Sequence, residues 1–245
     1  CVEWEGVPVK DVINACGGIS SKTKFMTSRG GETIPAMLNL VTTAIERSQP
    51  ISVIKHAILA WKMNGEDLSL AHGAPLRLIV PGYFGINNIK HLARLDFSEK
   101  ESSFKIQRDS YRISPHGKKG PQYPSCWEMP VKSWITNPYS KDAVVPSGKV
   151  KISGVAMGGM HDVTKVKVSI NGGGDWETAK FVGEDYGRFA WRKFELETNL
   201  KPGKYILSSK ASNSRWQTQP MERMENERGY ANNSWLDHSV TINVA

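Results

Sequence analysis

The chain holds 245 residues, 39% of them hydrophobic and 23% charged, with a formal net charge of +8. That balance predicts globular folding around one large or two ordinary cores, and it excludes a membrane-spanning helix, because no run nears the roughly 18 consecutive apolar residues that a span needs. The basic residues are scattered through both halves with no dense run and no CxxC spacing, so the charge predicts an anionic substrate or an acidic redox partner, and no nucleic acid.

The first residues, Cys1-Val2-Glu3-Trp4-Glu5, carry neither the basic start nor the apolar stretch of a signal peptide, and the chain opens on Cys instead of Met, so a processed or partial chain is expected. From Gly6-Val7-Pro8 to Gly17-Gly18 the spacing of Val9, Val12, Ile13 and Cys16 predicts a short amphipathic helix with those four side chains on its buried face. Residues 20–55 are irregular and read as loop with a short helix near Ala36–Val41. His56–Glu66 reads as an apolar strand entering an Asn64-Gly65 turn. The chain then returns through His72 to Leu78-Ile79-Val80, a strand buried on both faces and stopped by Pro81-Gly82.

That last stretch is the most informative. His72, Arg77 and Lys90 flank an apolar run and a glycine-punctuated loop, a combination that suits a phosphate-bearing ligand: Arg offers a planar fork, Lys a point charge and His a titratable donor. Spacing alone leaves equal room for the reading that Arg77 and Lys90 are solvated ends of their elements. Tyr111 and Arg228 stand in polar, turn-like settings far apart in the chain, where periodicity cannot pair them and a surface position is the plain reading.

Beyond about Met129 the texture changes. Val150 and Ile152; Val166, Val168 and Ile170; Phe189 and Trp191; Tyr205 and Leu207; and Val240, Ile242 and Val244 alternate with polar residues, the period of half-buried antiparallel strands. The break between Phe189/Trp191 and Phe194/Leu196 predicts a β-bulge. Asn171-Gly172-Gly173-Gly174-Asp175 falls between two alternating segments and reads as a hairpin turn, and Trp176, Trp191, Trp216 and Trp235 as core and interface aromatics. The pattern predicts an immunoglobulin-type sandwich over residues 129–245 after an α+β portion over residues 1–128, with Pro121, Pro124 and Pro130 punctuating the boundary. Cys1, Cys16 and Cys126 are odd in number and far apart, which argues against a disulfide framework. No GxSxG, HExxH or GxxxxGK[ST] motif occurs, and the remaining histidines show no metal-ligand spacing.

Ala60-Trp61-Lys62-Met63-Asn64-Gly65-Glu66, then His72-Gly73-Ala74-Pro75-Leu76-Arg77-Leu78-Ile79-Val80-Pro81-Gly82 and Asn88-Ile89-Lys90, closely resemble the sulfite oxidase family of molybdopterin enzymes. Trp4–Val12 resembles that family's segment before the motif, and Val131–Val244 its immunoglobulin-like dimerisation domain. The resemblance implies a molybdopterin–molybdenum cofactor contacted by His72, Arg77, Asn88 and Lys90 with backbone at Ile89, and a substrate pocket holding Tyr111 and Arg228. It implies oxidation of sulfite to sulfate, because the related nitrate reductases usually carry Met in place of Arg228. The segment Pro81–Asn88 looks most like bacterial sulfite dehydrogenases, which implies a periplasmic protein, a homodimer or a heterodimer with a cytochrome subunit, and electrons passed to a c-type cytochrome. No CxxCH occurs, so any haem is expected on another chain or a missing part.

Two departures from the family pattern stand out. His91 replaces a common tryptophan. The family's molybdenum-ligating cysteine is expected upstream of residue 1, since Cys1 sits too close to Trp4 and neither Cys16 nor Cys126 has a matching context. A family member acting on S-oxides or nitrate, or a non-catalytic scaffold or dimerisation fragment, are the alternative expectations.

Overall fold

The computed structural model describes residues 1–139 and 144–245 and divides into two compact units, Cys1–Glu128 with Asn226–Tyr230, and Met129–Glu225 with Ala231–Ala245. In the first unit the chain enters as a strand, β1 (Trp4–Pro8), and turns at Pro8 into helix α1 (Val9–Ala15). Val9 and Ile13 are buried. Cys16, however, is exposed, because it caps the helix and the backbone swings into left-handed Gly17 and Gly18 there, out of the predicted stripe.

Strand β2 (Phe25–Gly30), the one-turn helix α2 (Leu40–Thr43) and strand β3 (Glu46–Pro50) occupy the region expected to be loop with a short helix. The two strands pair antiparallel, and β2 pairs on its other side with β7 (Leu92–Ser98). The missed strands lack apolar alternation because β3 buries Glu46, Arg47, Ser48 and Gln49 in succession. Each is held by hydrogen bonds instead: Glu46 by Arg29 and Ser102, Ser48 by Thr27, and Arg47 and Gln49 by Asn87.

The second sheet of this unit centres on β4 (Ile58–Met63), flanked by β1, by β5 (Glu66–Asp67) and by β6 (Arg77–Ile79). Asn64 and Gly65 have φ of 54° and 79°, a two-residue turn whose left-handed backbone joins β4 to β5 as expected. Leu78, Ile79 and Val80 are all buried. With one further short α-helix, α3 (Lys105–Arg108), the unit is α+β only loosely: its α-helices span 7, 4 and 4 residues, and strands dominate.

The second unit is a two-sheet sandwich. Strands β8 (Lys132–Asn137), β9 (Val144–Val145), β10 (Gly148–Met157), β11 (Val163–Ser169), β12 (Glu177–Thr178), β13 (Lys180–Val182), β14 (Arg192–Leu200), β15 (Gly203–Asn213) and β16 (Val240–Val244) form sheets of order β13-β14-β10-β8 and β12-β11-β15-β16-β9. Ile135, Ile152 and Phe194 of the first sheet pack in one core with Val166, Val168, Leu207 and Ile242 of the second. At Gly154 a Cβ would stand 2.3 Å from the Trp134 carbonyl and 2.4 Å from the Phe194 ring, so the backbone there lies against the core without a side chain. The glycine run 172–174 turns β11 back into β12.

Two details differ from expectation. No bulge occurs around Phe189–Leu196, since β10 and β14 keep unbroken register from Gly148↔Leu200 to Ala156↔Arg192. Phe189 and Trp191 precede β14, and so never share its alternation. Trp216 is 92% exposed at a turn with φ of 62°, whereas Trp235 is buried.

Candidate functional site

Two clefts in the first unit hold the residues singled out by sequence, His72 excepted. One, of about 390 Å³, is lined by Arg77, Asn88, Ile89, Lys90 and His91 together with Glu32 and Ile45. Arg77 starts β6 and stacks its guanidinium 5.0 Å from the centre of the Trp4 ring, while its Nη1 donates to the His72 carbonyl at 3.0 Å. Its Nε is buried with no hydrogen-bond partner among the described residues, and burial pushes its pKa down from the usual value. A guanidinium stays charged under such a shift, so the orphaned N–H stands ready for an anionic acceptor.

Lys90 donates to the Ala71 carbonyl and packs on Gly73. Gly73 has φ of 108°, and a Cβ there would meet Lys90 Cβ at 2.9 Å, so only glycine lets the two segments close. Asn88 lines the cleft, yet its side chain is committed to the loop: Oδ1 accepts from Val80 N at 2.7 Å and Nδ2 donates to the Phe84 carbonyl. Ile89 is buried, its carbonyl accepting from Leu78 N at 2.9 Å. His72 is not on the cleft lining. It is exposed, with Nδ1 2.9 Å from Ser69 Oγ, and it reaches the site through its carbonyl on Arg77. His91 lies on the lining with φ of 51°, its Nδ1 2.8 Å from the Ala74 carbonyl.

The second cleft, about 180 Å³, brings together the pair that spacing could not join. Tyr111, Arg228, Tyr230, Lys119, Asp109 and Glu227 stand on its wall. Arg228 sits on the Asn226–Tyr230 turn, which Asn226 ties by accepting from Tyr230 N and donating to the Tyr230 carbonyl, both at 2.9 Å. Glu227 anchors that turn: its backbone N–H donates to the Ser114 carbonyl, and its carboxylate accepts from Gly117 N at 2.8 Å, which holds its pKa below the usual range. Asp109 is engaged by both guanidinium arms of Arg108, which likewise lowers its pKa. Arg228, which forms no ion pair among the described residues, and Lys119 bring two positive charges to the cleft, beside two ionised carboxylates that are each already engaged by hydrogen bonds.

Tyr111 has φ of 52°, a left-handed backbone that costs a bulky residue on the order of 1–3 kcal/mol and is held only by its surroundings. Its carbonyl accepts from Cys126 N at 2.7 Å. Its ring stacks on Tyr230 at 5.6 Å and 19°, and the Arg47 guanidinium lies 5.7 Å from its centre. Arg47, fully buried, donates to Asn87 Oδ1, Ser125 Oγ and the Ile106 carbonyl, and burial followed by repulsion from Arg112 brings its pKa down to about 10. Arg112 in turn donates to Glu101 and to the Gln107 carbonyl, so Tyr111 stands in a polar web drawn from four segments. Arg47 and Tyr230 carried no sequence signal: the first is one letter in a polar run, the second a lone tyrosine after a turn glycine.

No group of three or more His, Cys, Asp or Glu able to hold a metal occurs among the described residues. Cys126 is buried, and burial raises its thiol to about 11, so it is neutral at physiological pH. The donor set of the larger cleft, an orphaned buried guanidinium N–H and an ammonium beside glycine-bounded backbone, fits the phosphate of an organic cofactor.

Comparison with known proteins agrees with this chemistry. Residues 1–105 match the model of the oxidoreductase molybdopterin binding domain, and residues 123–245 that of the Mo-co oxidoreductase dimerisation domain. The chain therefore belongs to the sulfite oxidase family of molybdopterin enzymes, whose cofactor is molybdopterin–molybdenum. It is 31% identical to human mitochondrial sulfite oxidase over 99% of its own length and 46% of that protein's, and 29% identical to spinach nitrate reductase over 95% and 28%. The sulfane dehydrogenase SoxCD of Paracoccus pantotrophus superposes with a TM-score of 0.79 at 28% identity, covering all of this chain and 62% of that one. The chain thus spans just under half the length of the human relative.

Proposed function

We propose that this chain supplies part of the active site of a periplasmic sulfite dehydrogenase that oxidises sulfite to sulfate and passes electrons to a c-type cytochrome. Residues 1–128 serve as the C-terminal part of the molybdopterin-binding domain, and 129–245 as a dimerisation domain that joins a second copy or a haem subunit. The observation that carries the reading is the meeting of Arg228 and Tyr111 in one small cleft with Lys119 and two engaged carboxylates. Such a cleft binds a compact oxyanion through charge-assisted hydrogen bonds and has little room for a large organic substrate.

In this reading Arg77 and Lys90 hold the cofactor phosphate, and the Asn88–Ile89 segment offers backbone. His72 and the Asn88 side chain shape that surface, His72 by fixing Arg77 and Asn88 by fixing the loop. When bound, the molybdenum centre supplies the two-electron oxidation. Arg228 neutralises and orients the anion, and Tyr111 presents a phenol to it.

A second reading has one observation behind it, the structural likeness to a sulfane dehydrogenase, and places a sulfane-sulfur anion in the same cleft. The cofactor-loaded natural protein, assayed with sulfite and with thiosulfate in the presence of oxidised cytochrome c, and with nitrate or S-oxides in the presence of a reduced dye, separates the readings. Sulfite is expected to turn over fastest; turnover of any other donor or acceptor in its place overturns the proposal. Arg228→Met removes charge-assisted hydrogen bonds and is expected to raise KM for sulfite about tenfold or more. An unchanged KM would show that Arg228 does not bind the anion.

A further inference from the structure

We infer that Tyr230 is a positioning residue for Tyr111, its ring forming, with the buried guanidinium of Arg47, the clamp that holds the Tyr111 ring on the wall of the anion cleft. The inference rests on the reading of Tyr111 as an active-site group. Three observations carry it. Tyr111 adopts a left-handed backbone with φ of 52°, which a bulky side chain does not keep unaided. The Tyr230 ring lies nearly parallel to it at 5.6 Å, and Arg47 stands 5.7 Å from its centre, two contacts within the range of aromatic and cation–π attraction. Both partners are themselves fixed: Arg47 is fully buried and tied to Asn87, Ser125 and Ile106, while the backbone of Tyr230 is held at both its N–H and its carbonyl by Asn226.

The arrangement couples the two halves of the cleft. The turn that carries Arg228 also carries Tyr230, so the residue that binds the anion and the ring that seats the phenol are placed by one hydrogen-bonded segment. Tyr230 works here through its ring face, and its hydroxyl is not required. Phenylalanine should therefore replace it, and an aliphatic residue should not.

The test compares Tyr230→Phe, Tyr230→Leu and Tyr230→His with Tyr111→Phe in the cofactor-loaded natural protein, by steady-state kinetics and by NMR of ring-13C-labelled tyrosine. The Tyr111 resonance is identified by its loss in Tyr111→Phe. Tyr230→Leu is expected to lower kcat about tenfold or more with KM little changed, because misplacing a reacting group costs the transition state and not ground-state binding. It should also move the Tyr111 resonance, while Tyr230→Phe leaves both kcat and resonance near wild type. Tyr230→His, a smaller ring, should fall between them. If the Tyr111 resonance stays in place in Tyr230→Leu or Tyr230→His, no clamp exists and the inference fails. If the resonance moves and kcat does not, although Tyr111→Phe lowers it, the contact is structural and the positioning role fails. If Tyr111→Phe itself leaves turnover unchanged, it is the underlying reading of Tyr111 that falls, leaving Tyr230 no catalytic group to position.

Discussion

The two units of this chain bury different chemistry in their strands. In the sandwich, one side chain in two along β10 and β16 is an apolar residue in the shared core: Val150, Ile152, Val240, Ile242, Val244. In the first unit, β3 buries four polar residues in a row, and the largest fully buried side chain is the arginine Arg47. Apolar burial is non-directional and tolerates approximate geometry, whereas each buried polar group must find its partner or cost its desolvation. The unit that carries both clefts is therefore specified by directional contacts, and the sandwich by pattern and volume.

The sharpest way to break this comparison is one large deletion in each unit. Phe194→Ala, at a fully buried ring beside Gly154, is expected to cost about 3–5 kcal/mol, part transfer and part cavity. Hydrogen exchange should show the loss of protection in β8, β10 and β14. Arg47→Met is expected to cost about 3 kcal/mol for a different reason, since it strands the Asn87, Ser125 and Ile106 acceptors and loosens the neighbours of Tyr111. Its loss of protection should fall on β2 and β3. Denaturant unfolding gives both magnitudes. An Arg47→Met protein as stable as wild type would mean that the polar web is replaceable by packing, and that the contrast between the units is one of composition alone.

The same contrast explains what could be read from sequence. Alternation at Val166/Val168 and Val240/Ile242/Val244 announced strands, and Leu78-Ile79-Val80 announced a buried one, because apolar period and burial are the same fact there. β2 and β3 stayed hidden because Thr27, Ser28, Arg47 and Gln49 look like surface residues until their partners are known, and those of Arg47 lie as far along the chain as Ile106 and Ser125. The false bulge at Phe189–Leu196 shows the limit of pattern even where it works: two aromatics ahead of β14 imitate the strand's period without belonging to it. Tyr111 and Arg228 are joined by a turn, Asn226–Tyr230, that departs from its sequence neighbours to join the first unit, and no local signal encodes such a return. Only family resemblance named the two together in advance.

The smallest effect sharpens the comparison at a single thiol. Cys126 lies in the polar web, its backbone N–H donating to Tyr111 and its carbonyl accepting from Asn87, yet its side chain is buried like an apolar residue. Burial raises the thiol from 9 to about 11, against the pull of Arg47 and Arg112. A folded state that keeps its proton where the unfolded chain releases it loses stability as pH rises, here from about 9 toward 11, and is unaffected below 9. Cys126→Ala should remove that part of the alkaline decline in thermal stability and leave the midpoint at pH 7 shifted only slightly. In the native protein at pH 8, iodoacetamide should modify the exposed Cys16 and spare Cys126, as read by peptide mass spectrometry. Rapid labelling of Cys126 under those conditions would show that the segment under Tyr111 opens, and that the polar web closes the site less firmly than the apolar core closes the sandwich.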